Sequence, residues 1–313
     1  MTLTTIDSVE LETRLLAAFA SRGQAPTEAA RIAAAAIVEA ERLGMAEFGV
    51  SLALGALESD DVHWDRPVSK AEQGAAVVLD AAELFAPIVF AEAALIASAR
   101  AGAAGLGIVV VSGPGSLGRI APYARVIADA GLVGLVTVGS PPLVAPHGGT
   151  AAALGTNPIA AAIPSSGVPI VVDASSSLLT KGRWTQLRER GEQLPEGTAI
   201  AADGQLTRDA ERVGAFLPRG GAFGTAMGVI AEMVTNGLSG SLGSARDRRS
   251  ACVLAMQSLG LDAQLSAVGD DLRTRLASAG GYVPGSNAPE GPGQLPIDDE
   301  LLRRLERIAP AAP

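Results

Sequence analysis

"LGIVVVSGPGSLGRIAPYARVIADAGLVGLVTVGS", residues 106–140, decides the fold. It opens on a β-branched run, Ile108 to Val111, bounded by Gly107 and Gly113, which reads as a central strand. "RIAPYARVIADAG" (119–131) reads as a helix, and "LVGLVTVGS" (132–140) as the next strand. Upstream, "AAVVLDA" (75–81) is a buried strand and "APIVFAEAALIASARAGAAG" (86–105) a helix. Strand, helix, strand, helix, strand from residue 76 to 140 describes an α/β layer architecture. "NPIAAAIPS" (157–165) and "VPIVVDAS" (168–175) add two strands.

The flanks read differently. "SVELETRLLAAFASRG" (8–23) and "PTEAARIAAAAIVEAERLG" (26–44) have helical spacing and stop at Gly23 and Gly44. "VSLALGALES" (50–59) is a third helix, and 59–75 a loop or extended segment. "GAFGTAMGVIAEMVTNGLSG" (221–240) is a helix of small residues, and "GSARDRRSACVLAM" (243–256) is polar and mixed material. "LSAVGDDLRTRLASAG" (265–280) is amphipathic, "GGYVPGSNAPEGPGQLP" (280–296) a surface excursion, and "PIDDELLRRLERIA" (296–309) a closing amphipathic segment. The expected division is a helical domain from residues 1–75 plus 241–313, serving dimerisation and substrate, around a mixed-sheet domain at 76–240.

The 313 residues are 48% hydrophobic but only 3% aromatic, so the core is built from Ala, Val, Leu and Ile. A net charge of -9 without Lys/Arg clusters argues against nucleic acid as a partner. The single Cys252 excludes an internal disulfide framework and fits a cytoplasmic location. The acidic N-terminus is not a signal peptide, and the apolar runs are too short or too charged to span a bilayer. His63 and His147 lie in no ligand-spaced motif, so no metal is expected. "GPGSLG" (113–118) lacks the Lys-Ser/Thr ending of a P-loop, "GAAGLG" (102–107) precedes a strand rather than following one, and no G-x-S-x-G elbow appears.

Several stretches together resemble one family. "SPPLVAPHGG" (140–149), "LGTNPIAAAIP" (154–164), "VVDASS" (171–176), "TKGR" (180–183), "LPEGTAIAADGQLTRD" (194–209) and "FLPRGG" (216–221) follow in the order of the malate/L-lactate dehydrogenase family of the second type. That family is not Rossmann-like and includes ureidoglycolate, sulfolactate and piperideine-carboxylate reductases. The resemblance implies a mixed-sheet α/β fold with a flanking helical domain, a nicotinamide cofactor, NAD or NADP, a homodimer, and hydride transfer to a 2-oxo acid or cyclic imine.

The reactive loops depart from the pattern. The family's G-x-D-S-H-G-V-x-R loop is here "GMAEFGVSL" (44–52), with Glu47 and Phe48 for Ser-His and Leu52 for the substrate-gripping Arg. Ser116 stands where the family's S-N-H-x-G turn holds its proton-transferring His. Phe223 lies in the stretch "GGAFGTA" (220–226), which replaces a G-G-H-K-G-Y-G run that supplies a Lys. Ser140 and the Asp173-Ala174-Ser175 strand end match family cofactor contacts, and Lys181 and Arg183 keep the basic character of another segment.

Leucine cannot bind a carboxylate, and serine is too weak an acid to replace His alone, so ordinary 2-oxo acid reduction is not expected. Three readings stay open. A repurposed enzyme takes a neutral or cationic small molecule, with Glu47 and Ser116 catalytic and Phe48, Leu52 and Phe223 lining an apolar pocket, by nicotinamide-dependent reduction or by cyclisation or elimination. Otherwise the protein binds the cofactor silently, or it is structural.

Overall fold

The computed structural model describes residues 2–66, 68–240, 249–260, 264–286, 291 and 293–309. Residues 243–248 and part of the Gly/Pro-rich excursion read above lie outside that set. The protein has a mixed α/β fold around a seven-stranded sheet. Its strands are β2 (Ser69–Gln73), β3 (Ala76–Asp80), β4 (Leu106–Ser112), β5 (Val133–Gly139), β6 (Pro158–Ile163), β7 (Ile170–Ser175) and β10 (Ser250–Met256). The spatial order is β2-β3-β4-β10-β5-β6-β7. Only β3 and β4 run parallel; every other neighbouring pair is antiparallel.

The position of β10 corrects the sequence reading. "SACVLAM" is not mixed polar material but the central strand, pairing Val253 with Val109 of β4 on one side and Val136 of β5 on the other. A strand covered on both faces shows no polar/apolar alternation, and a seven-residue run directly after a polar stretch carries no periodic signal. A second two-stranded sheet pairs β1 (Leu3–Asp7) with β11 (Gln294–Asp298), joining the two ends of the chain. The sequence reading had placed no strand in either segment.

The sheet is covered on both faces. Helix α4 (Ala86–Ala104) lies on β4 and β10, and α5 (Ala121–Asp129) on β5 and β6. Helix α7 (Ala222–Ser239) meets β5 and β10 from the other side. Two glycines of β5 show this directly. A Cβ on Gly134 would strike Ala124 of α5, and one on Gly139 would strike Thr235 of α7. Five residues apart in a strand, an odd number, means opposite faces. Helix α4 is long and apolar enough to cross a bilayer, yet Phe90, Ala91, Ala93, Ala94 and Ala97 on it are core.

Helices α1 (Ser8–Ser21) and α2 (Glu28–Arg42) pack outside α4, begun by Asp7 and Thr27 side-chain caps. Phe19, Trp64 and Phe85 stack at ring separations of 4.8–5.4 Å and pin the first helix to the strand–helix layer. Residues 178–217 build a smaller satellite with its own apolar cluster. It consists of α6 (Lys181–Glu189), the pair β8 (Ala199–Ala201) and β9 (Val213–Phe216), and a core of Val144, Leu179, Leu187 and Phe216.

Candidate active site

The site begins where α2 ends. Gly44 takes φ +69°, the left-handed conformation that closes a helix cheaply only with glycine. Its N–H donates to the Glu41 carbonyl at 2.9 Å and the Met45 N–H to the Ala40 carbonyl at 2.9 Å, a two-bond helix stop. The chain then makes one 3-10 turn, Ala46–Phe48, before α3 (Val50–Leu57). That turn is fixed by the Phe48 N–H to the Met45 carbonyl at 2.8 Å and by the Ser51 hydroxyl to the Ala46 carbonyl at 2.6 Å. Glu47 and Phe48 are thus displayed half-buried on a rigid corner.

Beneath this corner lies a residue the sequence did not single out. Glu41, 5% exposed, reaches from α2 to accept the Val50 N–H, the first of α3, at 2.6 Å. A Cβ on Gly49 would overlap that carboxyl, so glycine is needed there for close approach rather than for a turn. Burial pushes the Glu41 carboxyl up to about 7, with Glu47 and Asp298 adding repulsion and the Val50 N–H opposing it.

Two other loops close on the displayed pair. A Cβ on Gly118 would lie 3.1 Å from Leu52 Cδ2 and 3.3 Å from the Phe48 carbonyl oxygen. The turn after β4 that carries the exposed Ser116 therefore abuts Phe48 and Leu52. A Cβ on Gly182 would lie 3.1 Å from Glu47 Cγ and 3.6 Å from Phe48 Cε1, so the first turn of α6, which also carries the exposed Lys181 and Arg183, abuts Glu47. Sequence-distant Glu47, Phe48, Leu52, Ser116 and Lys181 belong to one convergence of loops.

Ser140 anchors a second cluster. Its hydroxyl accepts the Thr156 N–H at 2.9 Å, and its own N–H donates to the Asn157 side-chain oxygen at 3.1 Å. Asn157, fully buried at φ +38°, also donates to the Gly228 carbonyl at 3.0 Å and to Glu232 at 2.9 Å, both on α7. The Ser175 hydroxyl donates to the Thr156 carbonyl at 2.8 Å, and Arg219 donates to the Ser175 carbonyl at 3.2 Å. The ends of β5 and β7 and the start of β6 are thereby knitted into one polar shelf. The sequence reading named Ser140 and Ser175 but not Asn157, Thr156 or Glu232.

Asp173 has a structural engagement. Its carboxylate accepts the Ala121 N–H at 3.2 Å, at the start of α5, and lies 3.9 Å from Arg119. Its side chain is 23% exposed, and burial raises its pKa while Arg119 works the other way. Ala174, next along β7, is exposed. Phe223 is placed by a different element, the first turn of α7, and is 68% exposed. His147 sits beside that turn: a Cβ on Gly221 would lie 3.0 Å from its Nδ1. A cavity of about 270 Å³ lies between α1 and α2, lined in part by Glu12, Glu39 and Arg42, and none of the predicted site residues lines it.

The comparisons with known proteins agree with this architecture. Residues 6–305 match the malate/L-lactate dehydrogenase family, and the chain belongs to that family. It is 32% identical to an L-lactate dehydrogenase of Cupriavidus necator over 91% of this chain and 92% of that one. It is 35% identical to a malate dehydrogenase of Pyrococcus abyssi over 65% of this chain, a match that spans 58% of that relative's length. The crystal structure of a delta1-piperideine-2-carboxylate reductase from Pseudomonas syringae superposes with a TM-score of 0.82 at 26% identity, covering 98% of this chain and all of that one.

Proposed function

We propose that this protein is a nicotinamide-dependent reductase of a small C=N or C=O compound whose reacting end is neutral or cationic rather than a simple 2-oxo acid. The observation that carries the reading is Glu47, held half-buried at the meeting of three loops by a rigid 3-10 turn, with its chain neighbour Phe48 beside it against the Gly182 turn. A half-buried carboxylate beside an apolar ring favours an amine or iminium over a second carboxylate.

The donor set fits a dinucleotide. Lys181 is an exposed cation for phosphate, the Ser140–Thr156–Ser175 shelf offers hydroxyls, and Phe223 offers an open apolar ring. A side chain on Gly115 or Gly148 would meet nothing within 4 Å, so a ligand can approach the backbone there. When bound, the nicotinamide supplies the hydride. The chain's own part is to orient the substrate with Glu47 and Ser116, to exclude water with Phe48 and Leu52, and to hold the substrate's proton or positive charge at the Glu47 carboxyl. Dehydrogenase and reductase relatives support the redox class. A homodimer belongs to the same reading, supported by Ile230, Met233 and Leu238 of α7, each at least half exposed. A cytoplasmic location is supported by the lone buried Cys252.

Titration of the purified protein with NADH and NADPH, followed by fluorescence and calorimetry, tests the reading. Saturable binding followed by cofactor oxidation with cyclic imines, lost in Glu47→Gln, is the expected result. A second reading, a protein that binds the cofactor without turnover, is favoured by the packing of Phe48 and Leu52 on the Gly118 turn. It predicts binding without oxidation of any imine or oxo compound. No binding at millimolar cofactor overturns both and leaves a non-redox or structural role.

A further inference from the structure

Lys181 and Arg183 bring cations to the α6 side of the site, but Leu52 occupies the place where the family resemblance puts an arginine, and the Ser116 side needs another. A cation enters the same loops from elsewhere in the chain. Arg249 immediately precedes β10, whose first residue, Ser250, pairs with Ser112 of β4 on one side and Gly139 of β5 on the other. Arg249 therefore stands at the start of the central strand, between the Ser116 loop and the Ser140 turn. Its carbonyl accepts the Gly113 N–H at 2.9 Å, and its Nη1 donates to the Gly115 carbonyl at 3.1 Å, one residue before Ser116. Both bonds fix it to the candidate active-site loop.

We propose that Arg249 is an anion-binding residue of this site, holding a carboxylate or phosphate oxyanion of the bound ligand between the Ser116 loop and the Ser140 turn. The proposal rests on the reading of these loops as the active site. A guanidinium has five N–H groups in a planar fork suited to two oxygens at once. Among the described residues, one bond from that fork is made, to Gly115, and no carboxylate pairs with it. The neighbouring arginines differ: Arg119 and Arg125 are both committed to Glu39. Partial burial pushes the Arg249 pKa down with no anion to offset it. A half-buried cation with free donors at the mouth of a site is the arrangement that a ligand oxyanion completes. It places a basic group on the Ser116 side of the site, while Lys181 and Glu47 meet on the α6 side.

The test uses the full chain, Arg249→Gln and Arg249→Lys, with NADH, NADPH and pyrrole-2-carboxylate, a planar analogue of a cyclic imine acid, as probes in calorimetry, the last added to cofactor-saturated protein. The expected result is a loss of affinity of about tenfold or more for one probe in Arg249→Gln, with partial recovery in Arg249→Lys and an unchanged melting temperature. Loss of cofactor affinity assigns the oxyanion to phosphate. Loss of pyrrole-2-carboxylate affinity alone assigns it to a substrate carboxylate. Binding of every probe at wild-type strength by both variants overturns the proposal while leaving the proposed function standing. Failure of the wild-type protein to bind either cofactor overturns the functional reading and this proposal with it. Should Arg249→Gln fail to fold, Arg249→Lys decides alone: its narrower, non-planar donor must weaken the same probe measurably.

Discussion

The Glu41 carboxyl accepts the Val50 N–H at 2.6 Å, so a buried acid near the end of α2 ties down the start of α3 and the turn between them that displays Glu47. The unsatisfied N–H groups at a helix start favour this placement, while burial disfavours the charge. The balance leaves Glu41 near neutrality, facing Glu47 and Asp298, both acidic.

Stability should therefore fall through the neutral range. A carboxyl whose folded pKa is raised from 4.5 to about 7 contributes stability that is complete below its unfolded value and lost as pH rises through 7. Between pH 5.5 and 8.5 this amounts to about 2 kcal/mol. Glu41→Gln should be stabilised relative to wild type at pH 8.5 more than at pH 5.5. A gap in unfolding free energy that does not change with pH would show that Glu41 does not titrate in this range.

Gly49→Ala places a methyl into the Glu41 carboxyl. The expected cost is about 1–3 kcal/mol in urea denaturation, typical of overpacking. Because the clash is with one side chain, Gly49→Ala combined with Glu41→Ala should cost less than the sum of the two single changes. Strict additivity would place the strain in the backbone instead.

Glu39 behaves oppositely to Glu41, two residues away. Burial alone would raise its pKa, but Arg125 and Arg119 hold it below the usual carboxylate range. Its contribution is present at neutral pH and lost as pH falls through that depressed value. Removing it by Glu39→Gln should cost about 3 kcal/mol at pH 7, because two mostly buried guanidinium groups lose their partner. Denaturation midpoints that do not differ between the two proteins at pH 7 would contradict this.

Asn157→Ala removes an acceptor for the Ser140 N–H and two donor bonds to α7, and puts alanine at a positive φ. A loss of about 2 kcal/mol is expected from the unpaired buried groups. NADPH affinity should fall too, because the Ser140 turn loses its support. Unchanged affinity in a destabilised variant would separate the polar shelf from the cofactor.

The sheet's principal strands and the helices between them were legible because each carries its own signal: β-branched runs for β4 and β5, glycine stops after α1 and α2. Strand β10 was not, since "SACVLAM" becomes a strand through neighbours more than a hundred residues earlier in the chain. Strands β1 and β11 stabilise each other across the two ends of the chain, and neither short segment announces a partner. Within the site, the loop carrying Glu47 and Phe48 was readable from its bracketing glycines. Glu41 was not, because its position on α2 looks like one charge on a charged helix end, and only packing shows that it is buried. Arg249 escaped for the reason β10 did: its partner, Gly115, lies 134 residues away.

The central place of β10 bears on the birth of the molecule on the ribosome. Strands β4 and β5 do not pair with each other; β3 covers one side of β4 and β6 one side of β5, and the two halves are joined only through residues 250–256. Until that late segment emerges, the growing chain holds two apolar, β-branched strands with open edges, the kind of edge that invites association with other chains. Chains stopped short of residue 250 should accordingly depend on chaperones or aggregate, and the candidate-site loops that leave from these strand ends should take shape only as synthesis nears completion.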